Sequence, residues 1–235
     1  MSLTESLLRP LLSAPARPLI THYDDDAGTR VELSVATMAN WAAKTANWLT
    51  QEWDVEPGDR VAVLTPAHWQ TAAILLGAWW CGAAVTDDPA GAVVAFVAPD
   101  GAAPGAETVA VASLDPMGQD LGTPPDGTVD YVGDARLHGD DFLALTPVPP
   151  DTPCLLESTV DEVRTAARVR AEALGIAGTD RVLSTMDWTM PDGVLDGLVA
   201  VLAAGASLVQ VSNADPTRLD SRRSAERTTV DLKPS

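Results

Sequence analysis

Lysine is nearly absent from this chain: of 15 basic residues only Lys44 and Lys233 are lysines. That leaves almost no amine to neutralise a phosphate or to take up an acyl group. Histidine is sparse too, with His22, His68 and His138, and no G-x-S-x-G segment presents a serine nucleophile to any of them, which argues against a Ser-His-Asp hydrolase. No G-x-G-x-x-G follows the apolar run at Val61; Thr65, Pro66, Ala67 and His68 stand there instead, so a dinucleotide-binding unit is not indicated. Cys81 and Cys154 lie far apart without metal-ligand spacing and fit small core residues of a protein in a reducing compartment. Cations as a whole are outnumbered, 15 against 33 acidic residues, and the net charge of −18 sets a field that repels nucleic acid, anionic membrane and free nucleotide. Any anion bound here must be drawn by a local site.

Long uninterrupted apolar segments are missing as well. Val61 to Thr86 carries no charge, but Pro66, His68 and Gln70 break it early and Gly77 and Gly82 punctuate the rest, so no membrane span is expected. Leu3, Leu7, Leu8 and Leu11 share one helical face with no positive residue ahead of them, which predicts a docking helix rather than a signal peptide. The expected setting is soluble and cytoplasmic.

What the sequence does contain is a repeated pattern. Asp59 and Arg60 open a short apolar run, Pro66 stops it, a continuous apolar segment follows to Cys81, then Gly82 and a second short run. This order predicts strand, loop, helix, glycine stop and strand, a βαβ unit. Asp180 and Arg181, Val182 to Thr185, a loop with Pro191, Val194 to Ala204, Gly205 and Ala206 to Val211 repeat it. Asp59 to Gly82 is 23 positions and Asp180 to Gly205 is 25, so one unit is used twice. Helices at Ser34 to Leu49 and Thr159 to Leu174 stand ahead of the two copies, each opened by a hydroxyl residue suited to capping. The stripe of Met38, Trp41 and Trp48 on the first reads as core-facing rather than as a platform for a nucleobase.

The fold class expected is therefore α/β, with duplicated βαβ units forming two parallel-sheet lobes in three layers. The divisions expected are 1–116 for a first lobe with the docking helix and a hairpin at Pro18 to Leu33, 117–153 for a crossover, 154–216 for a second lobe, and 217–235 for a short helix and loose tail. Asp24, Asp25 and Asp26 lack the glutamate near Val35 that a calcium loop needs, and His138, Asp140 and Asp141 lack a further ligand nearby. No metal, cofactor or catalytic residue is assigned.

The residues now meet a family. Pro57 to Thr65 and Trp80 to Thr86 resemble the "pGDrVa" and "kaGavvvpl" strands that open the adenylate-forming superfamily, the acyl-CoA synthetases, peptide-synthetase adenylation domains and luciferases. Glu172 to Ser184 and Leu198 to Val209 are similar to its next lobe, and Ala225 to Thr229 to the segment before its acyl-pocket strand. The resemblance touches about two thirds of the chain and implies the first half of that family's large domain. It also implies chemistry that the residues do not supply. Where the family places a Ser/Thr/Gly-rich phosphate loop with a lysine, this chain reads Cys154, Leu155, Leu156, Glu157, Ser158, Thr159, Val160, Asp161, Glu162, with no glycine or lysine and three carboxylates. Such loops work through free backbone N–H groups and a cation. Ser158 and Thr159 stand either as the remnant of that loop's flank or as a helix cap. The family's aromatic-histidine pair has no histidine here; Trp188 and Met190 fall in the corresponding stretch and either border a groove between the lobes or pack in the core.

The expectation is a non-catalytic binding or regulatory module for a small acyl or nucleotide-like ligand, or for a protein partner, with Ser158, Thr159, Trp188 and Met190 as candidate ligand contacts. The alternative is a subunit of a split acyl-adenylating enzyme whose partner supplies the phosphate loop and lysine. A ligand is expected at the carboxyl ends of the strands, between the lobes.

Overall fold

A computed structural model of the protein describes residues 1–233. Two copies of one unit dominate it. The first comprises β1 (Pro18–Asp24), β2 (Thr29–Ser34), α2 (Val35–Glu52), β3 (Arg60–Val63), α3 (Trp69–Cys81) and β4 (Ala84–Thr86). The second comprises β8 (Pro153–Leu155), β9 (Ser158–Thr159), α5 (Val160–Ala173), β10 (Arg181–Ser184), a helix and β11 (Ser207–Ser212). That helix runs on through α6 (Asp192–Val194), a π turn (Leu195–Val199) and α7 (Ala200–Ala204). Before the copies lies α1 (Leu3–Leu8); between them lie β5 (Val94–Val97), β6 (Thr108–Val111), β7 (Val129–Asp130) and α4 (Tyr131–Ala135); after them come α8 (Leu219–Glu226) and β12 (Val230–Leu232).

The duplication holds at the level of single hydrogen bonds. Asp59 Oδ2 accepts the Glu56 N–H at 2.8 Å, and Asp180 Oδ2 accepts the Ala177 N–H at 2.7 Å, so both aspartates close the turn into their strand. Their carbonyls receive the N–H of Ala84 and of Ser207, which starts β3–β4 and β10–β11 in matching parallel registers. Each copy's helix ends on a left-handed glycine, Gly82 with φ 91° and Gly205 with φ 83°, where a side chain would be strained. Ser34 and Thr159 cap α2 and α5.

The strands form a seven-stranded sheet, β7-β6-β5-β3-β4-β8-β9, and a five-stranded sheet, β12-β10-β11-β1-β2. All neighbours are parallel except the hairpins β1–β2 and β8–β9. Each copy's leading hairpin belongs to the other copy's sheet: β1 pairs with β11, Ile20 opposite Leu208, and β8 pairs with β4, Leu155 opposite Val85. The hairpin expected inside the 1–116 lobe is thus a hydrogen-bonded part of the five-stranded sheet, and the strand at Cys154 is part of the seven-stranded one. The sequence order groups each hairpin with the helix that follows it, whereas the backbone donors and acceptors of β11 and β4 find their partners across the molecule.

The main core lies where the inner faces of the two sheets meet the helices. Val61, Val63, Val94 and Phe96 of the large sheet and Ile20, Val182 and Leu208 of the small one join the same buried cluster as Trp48, Ile74 and Leu75. Helices α2 and α3 approach closely at Gly77, where an added Cβ would lie 2.4 Å from Thr45 Cβ. Helix α1, capped reciprocally by Ser2 and Glu5, buries Leu3, Leu7 and Leu8 in that core and touches α3, α5 and α7, so the docking helix bridges both copies. No helix among the described residues is long and apolar enough to cross a membrane.

The C-terminal stretch is not loose over its described length, which ends before residues 234–235. β12 pairs with β10, Val182 opposite Val230, and Glu226 at the end of α8 accepts bonds from Tyr23 Oη at 2.6 Å, Arg30 Nε at 2.8 Å and Arg181. Three donors around one nearly buried carboxylate hold it well below the usual range, at about 2, although burial alone would raise it. The crossover is also pinned: Lys44 Nζ donates to the His138 carbonyl, and Asn47 Nδ2 to the carbonyls of Gly139 and Asp141.

Candidate functional site

A crevice of about 390 Å³ opens where the carboxyl ends of strands from both sheets converge. β1 brings His22 and Asp24, the loop after β3 brings Ala67 and His68, β10 leads into Thr185 and Asp187, and β11 runs out through Ser212 and Asn213. The hairpin exchange builds this site, because only by joining β11 does β1 come to face the start of α3.

Its floor is a pair of buried histidines, His22 at 2% and His68 at 5% exposure, with ring centroids 4.4 Å apart and nearly edge-to-face. His68 is the N-cap of α3, its Nδ1 accepting the Gln70 N–H at 3.1 Å. A neutral ring with Nδ1 so engaged carries its proton on Nε2. His22 Nε2 lies 2.9 Å from Ser212 Oγ, and Ser212 Oγ donates to the Ala67 carbonyl at 2.7 Å. The serine hydrogen being spent on that carbonyl, His22 donates through Nε2 and leaves Nδ1 as an acceptor with no partner. Burial drives the His22 pKa down to about 4, with Asp24 and the Ala67 backbone opposing it, and burial next to His22 drives His68 down to about 2. Both rings are neutral at pH 7.

The four residues singled out from sequence are not brought together here. Thr159 caps α5 and shares a reciprocal box with Glu162, Ser158 sits exposed beside it in β9, and neither lines the crevice. Trp188 is buried over Gly197 of the π turn with its indole N–H unpartnered, and Met190 is half-buried against the core; they too stand outside the crevice lining. In the sequence His22 stands out only as one of three histidines and Asp24 only as part of an incomplete calcium-loop pattern, and Ser212 and Asn213 only in that they follow the second copy's last strand. His68 was legible as a helix cap.

The segment standing where a phosphate loop is expected has most of its backbone donors in use. Leu156 N–H bonds the Val85 carbonyl at 2.7 Å, Val160 N–H that of Thr152 at 3.0 Å and Asp161 N–H that of Pro150 at 3.0 Å. Thr159 and Glu162 satisfy each other's N–H groups through their side chains. Both cysteines are buried and unpaired, their thiols pushed up to about 12 by burial. The described residues contain no group of acidic, histidine and cysteine side chains that could hold a metal ion.

Among solved structures the fold is similar to that of an anthranilate CoA ligase, AuaEII, in complex with anthranoyl-AMP, with a TM-score of 0.78 and 16% identity over 98% of this chain and 49% of that one. An acyl-CoA synthetase of Brucella canis gives a TM-score of 0.77 and 15% identity over 99% of this chain and 47% of that one. A Mycobacterium tuberculosis fatty acyl CoA synthetase gives a TM-score of 0.73 and 19% identity over 98% and 48% of the two chains. The chain thus has the fold of the N-terminal part of the adenylate-forming ligases and spans about half the length of these structures. No protein-family model matches the chain. A curated Mycobacterium tuberculosis (strain ATCC 25618 / H37Rv) protein, described as a TIGR03089 family protein, is 45% identical over 238 residues, 97% of each chain. With such identity along nearly the whole length of both chains, this protein belongs to the TIGR03089 family.

Proposed function

We propose that the protein is a non-catalytic relative of the adenylate-forming ligases, a cytoplasmic module that binds a small acyl or nucleotide-like ligand in the crevice between its two sheets. The observation that carries this is the segment from Leu156 to Glu162. Polyphosphate binding needs unobstructed N–H groups and a cation, and here Leu156, Thr159, Val160, Asp161 and Glu162 give their N–H groups to protein acceptors while three carboxylates occupy the stretch. Loss of one positioned electrostatic group commonly costs roughly 10²- to 10³-fold in rate, and this loop lacks several. The crevice supports a binding role by its size, its position at strand ends and its unpaired polar floor.

Thermal shift with AMP, ATP, CoA, a set of carboxylic acids and their uncharged nucleoside and amide counterparts tests the binding role. A ligand at 100 times its Kd adds about 2.7 kcal/mol to native stability, a rise of about 5–10 °C for a chain of this size. ATP–pyrophosphate exchange tests the absence of catalysis: exchange by the purified chain overturns it. A split enzyme is the second reading, favoured by exposed apolar side chains in the crossover, Leu143 at 82% and Leu145 at 95%, which a partner subunit would cover. Exchange activity only on adding a partner would establish that alternative.

A further inference from the structure

The residues lining the crevice include two aspartates, Asp24 and Asp187, and no lysine or arginine. We propose that the crevice selects a ligand whose head group donates hydrogen bonds and carries no negative charge, an amide or an amine, and rejects the corresponding carboxylate or phosphate. This rests on the crevice being the ligand site and names what the site accepts.

The carboxylates and the floor point the same way. Asp24 remains ionised: burial works to raise its pKa, but the N–H groups of Ala27 and Asp26 and the Asn213 amide outweigh that and hold it below the ordinary value. Asp187 is exposed and forms no ion pair among the described residues. Arg218, at the N-cap of the adjoining α8, and Arg222, within it, are committed to Asp25 and Asp215. On the floor, His22 Nδ1 is a buried lone pair without a donor, in a side chain 2% exposed. A buried acceptor left unmet is uncommon and costly, and a ligand N–H meets that need where a carboxylate oxygen cannot.

Two side chains of the lining can donate instead, His68 and Thr185. The Nε2–H of His68 forms no bond within the described chain. A carboxamide, which both donates and accepts, matches the His22 and His68 pair; an amine matches the aspartates. A carboxylate could take the His68 hydrogen or that of the Thr185 hydroxyl, but would do so against two like charges in a crevice partly shielded from water.

Matched probes that differ only in the head group test the proposal on the full chain by calorimetry or thermal shift: nicotinamide against nicotinate, hexanamide and hexylamine against hexanoate, adenosine against AMP. The expected result is at least tenfold tighter binding of the amide, amine or nucleoside member. Asp187→Lys, at an exposed position, is expected to keep the fold and shift the preference at least tenfold toward the acids. Equal or tighter binding of the acids by the unsubstituted chain overturns the selectivity and leaves the crevice as a binding site. An amide preference that Asp187→Lys does not alter overturns the assignment of that preference to this crevice. No binding by any probe in either charge state overturns both the selectivity and the binding role.

Discussion

Replacing Glu226 by alanine removes the carboxylate on which α8, β2 and β10 converge. Its side chain is 7% exposed, and its three donors are Tyr23 Oη, Arg30 Nε and Arg181 Nη2. Removing one partner of a buried ion pair costs about 3–5 kcal/mol because the other charge stays desolvated. Here the figure must be reduced: Arg30 is 44% exposed and regains water, and Arg181 already lies 3.4 Å from Glu32. A loss of about 2–3 kcal/mol is expected, or about 5–10 °C in Tm for a chain of this size. Urea unfolding at pH 7 measures the loss, and hydrogen exchange at Val230–Leu232 shows whether β12 detaches first. The carboxyl titrates at about 2 when folded, so its contribution is present above its unfolded value of about 4.5 and fades as pH falls toward 2. The difference between Glu226→Ala and the unsubstituted chain should shrink across that window. A loss below about 0.5 kcal/mol at pH 7, typical of exposed ion pairs, would mean that the network does not anchor the C-terminal stretch.

The two histidines of the crevice set a higher window. Their folded values of about 4 and 2 lie below the unfolded 6.5, so the unfolded chain takes up protons first; stability is full above pH 6.5 and falls as pH drops toward 4. The slope is up to about 1.4 kcal/mol per pH unit for each ring, and urea midpoints at pH 7.5 and 5.5 should show it shrinking in His68→Asn, which retains a capping group. A slope unchanged in that variant would mean that His68 does not contribute. Gly77→Ala gains about 1 kcal/mol of helix propensity but sets a methyl 2.4 Å from Thr45 Cβ and 2.9 Å from the Ala42 carbonyl. Overpacking at about 1–3 kcal/mol is expected to win, and a rise in urea midpoint would mean that α2 and α3 part freely. Thr159→Ala should cost about 1 kcal/mol by loss of the α5 cap while Thr159→Ser costs little, with hydrogen exchange in the first turn of α5 as the readout; equal loss in both variants would contradict a capping role.

The parts of the fold written in local chemistry were readable from the chain. The Asp59 and Asp180 turns, the Gly82 and Gly205 stops, and the Ser34 and Thr159 caps each act within a few residues of their own position, so their spacing carries the information. Strand partnership is a different matter. Nothing in Pro18–Asp24 specifies that its neighbour lies at Ser207–Ser212 rather than at Arg60–Val63, because backbone donors and acceptors are the same everywhere and an apolar strand face fits either sheet. The candidate site was partly lost for that reason. Its location at strand ends between two sheets was expected, but His22 and Asp24 could not be set opposite His68 and Asp187 without knowing that β1 crosses over. Trp188 drew attention by its chemistry, yet its indole is enclosed over Gly197 rather than turned into the crevice.

The exchange of hairpins bears on the order in which a nascent chain can close. β1 is made well before its parallel partner β11, which follows only after β2 to β10. β4 waits likewise for β8, on the far side of the crossover. Two strand edges therefore stand open through much of synthesis, each a template for the wrong partner. Cutting the chain in the crossover would not free two self-sufficient halves, since each would carry a hairpin belonging to the other. Such fragments should be adhesive alone and soluble together, and mixing them would restore each sheet with the strand it lacks.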